Sequence, residues 1–149
     1  MKNQNNKKVF EITVKRCIGL RRADVQFNSA AFNPRLMQPF FSFDFYTWEY
    51  QSAVSDGQNP IFEMTQRYEV DYTQELVDYM QNQFLKIDFI DESVALNNDQ
   101  EISDYIGSAR FPLRLVEDQQ KTHVIPIINQ KNMTMGQVEL QLCFFNQGS

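Results

Sequence analysis

His123 is the only histidine among 149 residues. Any Ser/His/Asp or Cys/His mechanism would have to use it. It falls in the apolar run Thr122–Ile128, with no serine or cysteine close to it in sequence. The two cysteines, Cys17 and Cys143, lie in the first and last apolar-alternating segments, and nothing beside them would activate a thiolate. Neighbouring carboxylates such as Asp91 and Glu92 are the residue types used in acid–base catalysis. They come without a glycine-rich elbow, phosphate loop, zinc spacing or dinucleotide fingerprint. These residues point away from an enzyme, and no cofactor is expected. A different chemistry is offered by Tyr46, Trp48 and Tyr50, which recur at every second position. Tyrosine and tryptophan on a solvent-facing surface favour protein recognition. Asp44 and Glu49 beside them would suit a basic partner.

The segments that must position these residues alternate with period two. Phe10, Ile12 and Val14 alternate with Glu11, Thr13 and Lys15. Phe41, Phe43 and Phe45 alternate with Ser42, Asp44 and Tyr46, and this phase carries on to place Tyr46, Trp48 and Tyr50 on an outer face. The same pattern runs through Phe62–Val70, Leu85–Phe89 and Val138–Phe145. It is the mark of antiparallel strands packed on one side. Tyr105–Val116 and Thr122–Ile128 are apolar enough to be strands too. One segment departs from the pattern. Thr73 precedes Leu76, Val77, Met80 and Phe84 at helical spacing, which predicts a short helix over about residues 73–82 with Thr73 as N-cap. Seven or eight short strands and one helix predict an all-β, eight-stranded antiparallel sandwich.

Composition agrees. Thirteen phenylalanines, six tyrosines and one tryptophan favour a β-rich core. The apolar runs are too short for a membrane helix, no secretory leader is expected, and two cysteines cannot make a disulfide framework. The net charge is −5 and unevenly spread. Lys2, Lys7, Lys8, Lys15, Arg16, Arg21 and Arg22 crowd the first 22 residues, whereas residues 44–104 hold 14 acids against Arg67 and Lys86. An acidic middle excludes a nucleic-acid partner, which needs a basic face. Residues 1–7 are expected to be a flexible basic tail, 8–146 the folded domain, and 147–149 a C-terminal tail.

Several local motifs together resemble a C2 domain. Ile18-Gly19-Leu20 is similar to that family's first-strand ending, and Gln38-Pro39-Phe40 to its Asp-Pro-Tyr motif. Asn59-Pro60-Ile61-Phe62 resembles its Asn-Pro-x-Trp/Phe turn. Leu85–Asp91 looks like the strand leading into its third loop, and Asp104-Tyr105-Ile106-Gly107 like the segment that resumes the fold afterwards. A narrower pattern is carried by Phe43, Phe45, Tyr46 and Glu49, then Thr65, Tyr68 and Val70, then Leu76, Tyr79, Met80, Leu85 and Ile87. It resembles the central C2 module of the retinitis pigmentosa GTPase regulator-interacting proteins.

The resemblance implies a C2-type sandwich acting as a calcium-independent adaptor. It would be one module of a larger ciliary scaffold, at the transition zone or basal body on the cytoplasmic side, docking a protein partner through Tyr46, Trp48 and Tyr50. The alternative it implies is a calcium- or phospholipid-binding, membrane-targeting C2 domain. Asp24, Asp91 and Asp104 would then be metal ligands. Ca²⁺ takes six to eight oxygens, several from carboxylates. Gln38 and Ser93 stand where that family places two of them, and Glu92, Asp99 and Glu101 are extra acids nearby. The strand matched to the family's lysine-rich lipid strand, Ile61–Val70, holds Glu63, Glu69 and only Arg67. The expectation is therefore a protein partner, with neither calcium nor membrane binding.

Overall fold

A computed structural model describes residues 7–21, 37–93 and 104–147. Eight strands follow in chain order: β1 (Lys7–Ile18), β2 (Pro39–Phe45), β3 (Trp48–Gln51), β4 (Ile61–Asp71), β5 (Phe84–Asp91), β6 (Tyr105–Pro112), β7 (Lys121–Ile128) and β8 (Thr134–Asn146). One helix, α1 (Gln74–Asn82), lies between β4 and β5. The strand order is β3-β2-β5-β6-β7-β8-β1-β4, and the pairings are antiparallel. β6 and β7 share a single pair, Ser108 with Ile128. That junction folds the sheet into two four-stranded layers, β3-β2-β5-β6 and β7-β8-β1-β4. The aromatic core joins them. Phe10 of β1 stacks on Phe45 of β2 at 4.1 Å, and Phe62 of β4 meets Phe41 of β2 edge-on at 4.9 Å. The all-β sandwich expected from the alternation is the observed architecture.

The alternating residues form strands for a plain reason. Phe41, Phe43 and Phe45, and Leu85, Ile87 and Phe89, are all buried on the inner face, with polar residues opposite. Fully burying each such side chain is worth about 1.5–3 kcal/mol. In β1 the register shifts between Val14 and Arg16, with Lys15 the extra residue against β8. A bulge reverses the phase of the alternation. Phe10, Ile12 and Val14 point inward before it and Cys17 after it, so Cys17 is fully buried. Burial alone pushes its thiol far above the ordinary range.

The helix is capped as its sequence predicts. Leu76 N–H donates to the Thr73 hydroxyl at 3.2 Å, and Leu76 and Met80 are buried. Two of the local motifs hold each other. Gly19 has φ 65° and its N–H donates to Asn59 Oδ1 at 2.8 Å, while Cys17 N–H donates to the Pro60 carbonyl and Leu20 N–H to the Gln58 carbonyl.

Two expectations need correction. Residues 41–50 are not one strand: Tyr46 and Thr47 turn the chain, and β3 runs back beside β2 with Phe45 opposite Trp48. β6 stops at Pro112, and Leu113–Leu115 form one 3-10 turn instead of prolonging the strand to Val116. At the ends of the sheet, Lys7 opens β1 and ion-pairs Asp71 at 3.3 Å. Gln147 is tied to the same strand, its N–H donating to the Lys7 carbonyl.

Candidate functional site

The reversal at Tyr46 changes where the three aromatics lie. Tyr46 is a turn residue with φ 55°. A positive φ at the first central residue is what a two-residue hairpin turn of type II′ requires, and glycine usually supplies it. Here the strained backbone is held by its own N–H, which donates to the Tyr79 hydroxyl of α1 at 2.8 Å. The Tyr46 and Tyr79 rings meet edge-on at 5.3 Å.

Trp48 and Tyr50 do share one face of β3, but that face is the inner one. Trp48 stands opposite Phe45 and lies almost parallel to it, ring centroids 6.3 Å apart. It also lies 4.9 Å from Tyr68 of β4. Tyr50 stands opposite Phe43 and packs on it at 5.5 Å. Burial raises the Tyr68 hydroxyl pKa, and Tyr50 raises it further. The outer-face position expected for these residues is thus corrected: the outward pair at this hairpin is Asp44 with Glu49. Trp48 nevertheless keeps 38% of its surface exposed, because β3 is four residues long and ends the sheet order. The result is an aromatic rim with a buried underside, an open indole edge and an acidic outer flank.

Of the residues weighed as calcium ligands, Asp91 has other employment. Asp91 is 1% exposed. Its Oδ1 accepts from Gln38 N–H at 3.0 Å, Ser93 N–H at 3.0 Å and the Ser93 hydroxyl at 2.6 Å. Its N–H donates to the Asp104 carbonyl at 2.7 Å, and Glu92 N–H to the Gln38 carbonyl at 2.9 Å. Asp91 therefore bolts the starts of β2 and β6 to the end of β5. Gln38 and Ser93 stand at carboxylate positions of the resembled pattern and bring no charge beside Asp91; Gln38 donates to it through its backbone N–H and Ser93 through its N–H and hydroxyl. No group of three or more metal-ligating side chains occurs among the described residues. Asp24, Asp99 and Glu101 lie outside them.

The strand weighed for lipid binding is β4. Its outward residues are Ile61, Glu63, Thr65, Arg67, Glu69 and Asp71. Arg67 donates to Glu11 at 3.0 Å, so the strand's single cation is already neutralised. No helix among the described residues is long and apolar enough to cross a membrane.

His123 is partly buried against Phe111, ring centroids 4.5 Å apart. Desolvation, with help from Lys121, lowers its pKa, and Glu117 opposes the shift. Cys143 lies on the outer phase of β8, as its position in the alternation indicates, yet its neighbours cover it to 4% exposure. Desolvation raises its pKa, and the Glu11 carboxylate, 3.8 Å from Sγ, adds to the rise.

The sequence reading missed one feature altogether. Where β6 and β7 part, a groove of about 550 Å³ opens, lined in part by Lys86, Tyr105, Ser108, Arg110, Pro126 and Ile128. Lys86 and Arg110 stand directly opposite each other on β5 and β6. Two isolated cations 24 residues apart carry no sequence signal; only the register joins them.

Comparison with known proteins agrees with this architecture. The first of the C2 domains of plant Extended Synaptotagmin 1 superposes with a TM-score of 0.63 at 16% identity, covering 95% of this chain and 96% of that one. A C2 domain-containing protein from a putative elicitor-responsive gene gives 0.64 at 20% identity, covering 99% and 96%. A structure holding two C2 domains of Extended-Synaptotagmin 2 gives 0.67 at 16% identity, covering 98% of this chain and 44% of that one. No curated protein sequence matches the chain. The family model for the first C2 domain of RPGR-interacting protein 1 matches residues 2–147. With that match over nearly its whole length, on an eight-stranded antiparallel sandwich, the chain belongs to the C2 family of RPGR-interacting proteins.

Proposed function

We propose that this domain is a non-catalytic, calcium-independent adaptor that binds a protein partner in a ciliary scaffold at the transition zone or basal body. The observation that carries the reading is the rim of the β2–β3 hairpin, where Trp48 is seated on Phe45 and Tyr68 with its edge open to solvent. A large aromatic already immobilised by its neighbours loses little entropy on binding, which is the usual make-up of an interface anchor. Tyr46 and Tyr50 flank it, and Asp44 and Glu49 give the outer side a negative field suited to a basic partner. The bonding of Asp91 Oδ1 by Gln38 and Ser93 supports calcium independence, and the Arg67–Glu11 pair supports the absence of a lipid strand.

The test is affinity capture from ciliated-cell extract with the wild-type domain and the charge-reversal variant Glu49→Lys. Glu49 is exposed on a strand end, so reversal should leave the fold intact. A partner set retained by wild type and by Arg67→Glu, but lost by Glu49→Lys and Trp48→Ala, supports the rim. Capture indifferent to both rim variants refutes it. Co-sedimentation with phosphatidylserine vesicles would move the function to a membrane.

A further inference from the structure

We propose that the groove at the β6–β7 junction is a second binding site, and that it takes the carboxylate side chains of an acidic, extended segment of a partner protein. Its origin is visible in the register. The Ser108–Ile128 pair begins a ladder that two residues further on would set Arg110 opposite Pro126. Proline has no N–H to continue it. The strands diverge there, and the groove fills the gap.

The charge in this gap is only partly compensated. Lys86 and Arg110 are direct cross-strand neighbours, and like charges so placed are destabilising. Asp88 accounts for only one of them: its carboxylate lies 3.6 Å from Lys86 Nζ and accepts the Ser108 hydroxyl at 2.5 Å. Ser108 in turn hydrogen-bonds the Tyr105 hydroxyl. This chain holds Asp88 on the Lys86 side. Arg110 is exposed, and its side chain has no hydrogen bond or ion pair among the described residues. Its planar fork matches a carboxylate in two parallel bonds. The far wall is apolar, from Ile125, Pro126 and Ile128. Its rim is preformed, since Asn129 Oδ1 accepts from the Lys131 and Met133 amides.

The occupant therefore carries anionic groups beside apolar ones. A protein segment suits the site better than a lipid surface. Asp44, Glu49 and Asp88 share the outward face of this layer with the two cations and would repel an anionic bilayer. A single extended strand in the groove meets Asp88 alone of these, and Asp88 is already engaged by Lys86 and Ser108.

The probe is a fluorescein-labelled peptide alternating glutamate and isoleucine, with a glutamine-for-glutamate peptide as control, followed by anisotropy. Saturable binding is expected, about tenfold weaker for the control and for Arg110→Gln, because each loses a charge-assisted bidentate contact. The melting temperature of Arg110→Gln should be no lower than that of wild type, since the variant relieves the facing like charges, and Trp48→Ala should bind the peptide normally, which separates this site from the hairpin rim. Absence of binding at millimolar peptide overturns the proposal, as does binding indifferent to Arg110→Gln. Phosphatidylinositol bisphosphate vesicles form the second arm. Binding to them that Arg110→Gln abolishes, without peptide binding, would reassign the groove to lipid headgroups.

Discussion

The indole of Trp48 lies 4.9 Å from the ring of Tyr68, and these two residues sit on β3 and β4, the first and last strands of the sheet order. The strands furthest apart in hydrogen-bonding order thus meet across the open side of the sandwich. Trp48 is both part of that closure and the most exposed aromatic of the hairpin rim.

Trp48→Ala should consequently show two effects. Loss of its contacts with Phe45 and Tyr68 should lower stability by about 1–2 kcal/mol, less than for a fully buried aromatic. Partner affinity should fall by roughly 2 kcal/mol or more. Denaturant melts and titration with a captured partner measure the two separately. A variant as stable as wild type would show that the stacking contributes nothing to the fold.

Asp91→Ala removes a buried acceptor of three hydrogen bonds and leaves the Gln38 and Ser93 donors without it. Bonds to a charged group contribute about 1.5–3 kcal/mol. A loss of at least that size is expected, equal with and without calcium. For wild type, 1 mM Ca²⁺ should not move the melt, whereas a micromolar site would add about 4 kcal/mol. A rise of several degrees reversed by chelator would show that Asp91 holds metal after all.

Gly107 allows β6 to cross close to β7 at their single paired position. A Cβ there would lie 2.9 Å from the Ile128 carbonyl oxygen and 3.0 Å from the Ile127 side chain. Backbone cannot give way cheaply, so Gly107→Ala should destabilise by about 1–3 kcal/mol. Wild-type stability in this variant would mean that the junction is loose.

His123 should make stability depend on pH. Its folded pKa lies below the ordinary value near 6.5, so between the two the unfolded chain binds more protons. Stability should therefore fall as pH drops through 6.5 and stop falling on this account below the folded pKa. Melts from pH 7.5 to 5 on wild type and His123→Gln test this. A slope that persists unchanged in His123→Gln would assign it to other groups.

The strands are legible in the sequence because burial on one face imposes period two, and Phe41, Phe43 and Phe45 state it without ambiguity. Helix α1 is legible through Thr73 and the spacing of Leu76 and Met80. The turn at Tyr46 is not. Its positive φ usually calls for glycine or asparagine, and what replaces them is a hydrogen bond to Tyr79, 33 residues away. Alternation read along the chain therefore runs on past Phe45 and puts Trp48 on the wrong face. Cys17 is ambiguous for a similar reason, since one extra residue in β1 reverses the phase. Asp91 is readable as an acid at a loop position with Ser93 close by in sequence, but the Gln38 N–H that also bonds it comes from 53 residues away, an approach only folding decides. Periodicity is local and survives in one dimension. Register, bulges and the meeting of Lys86 with Arg110 depend on which strands pair, and that is fixed by packing the whole core.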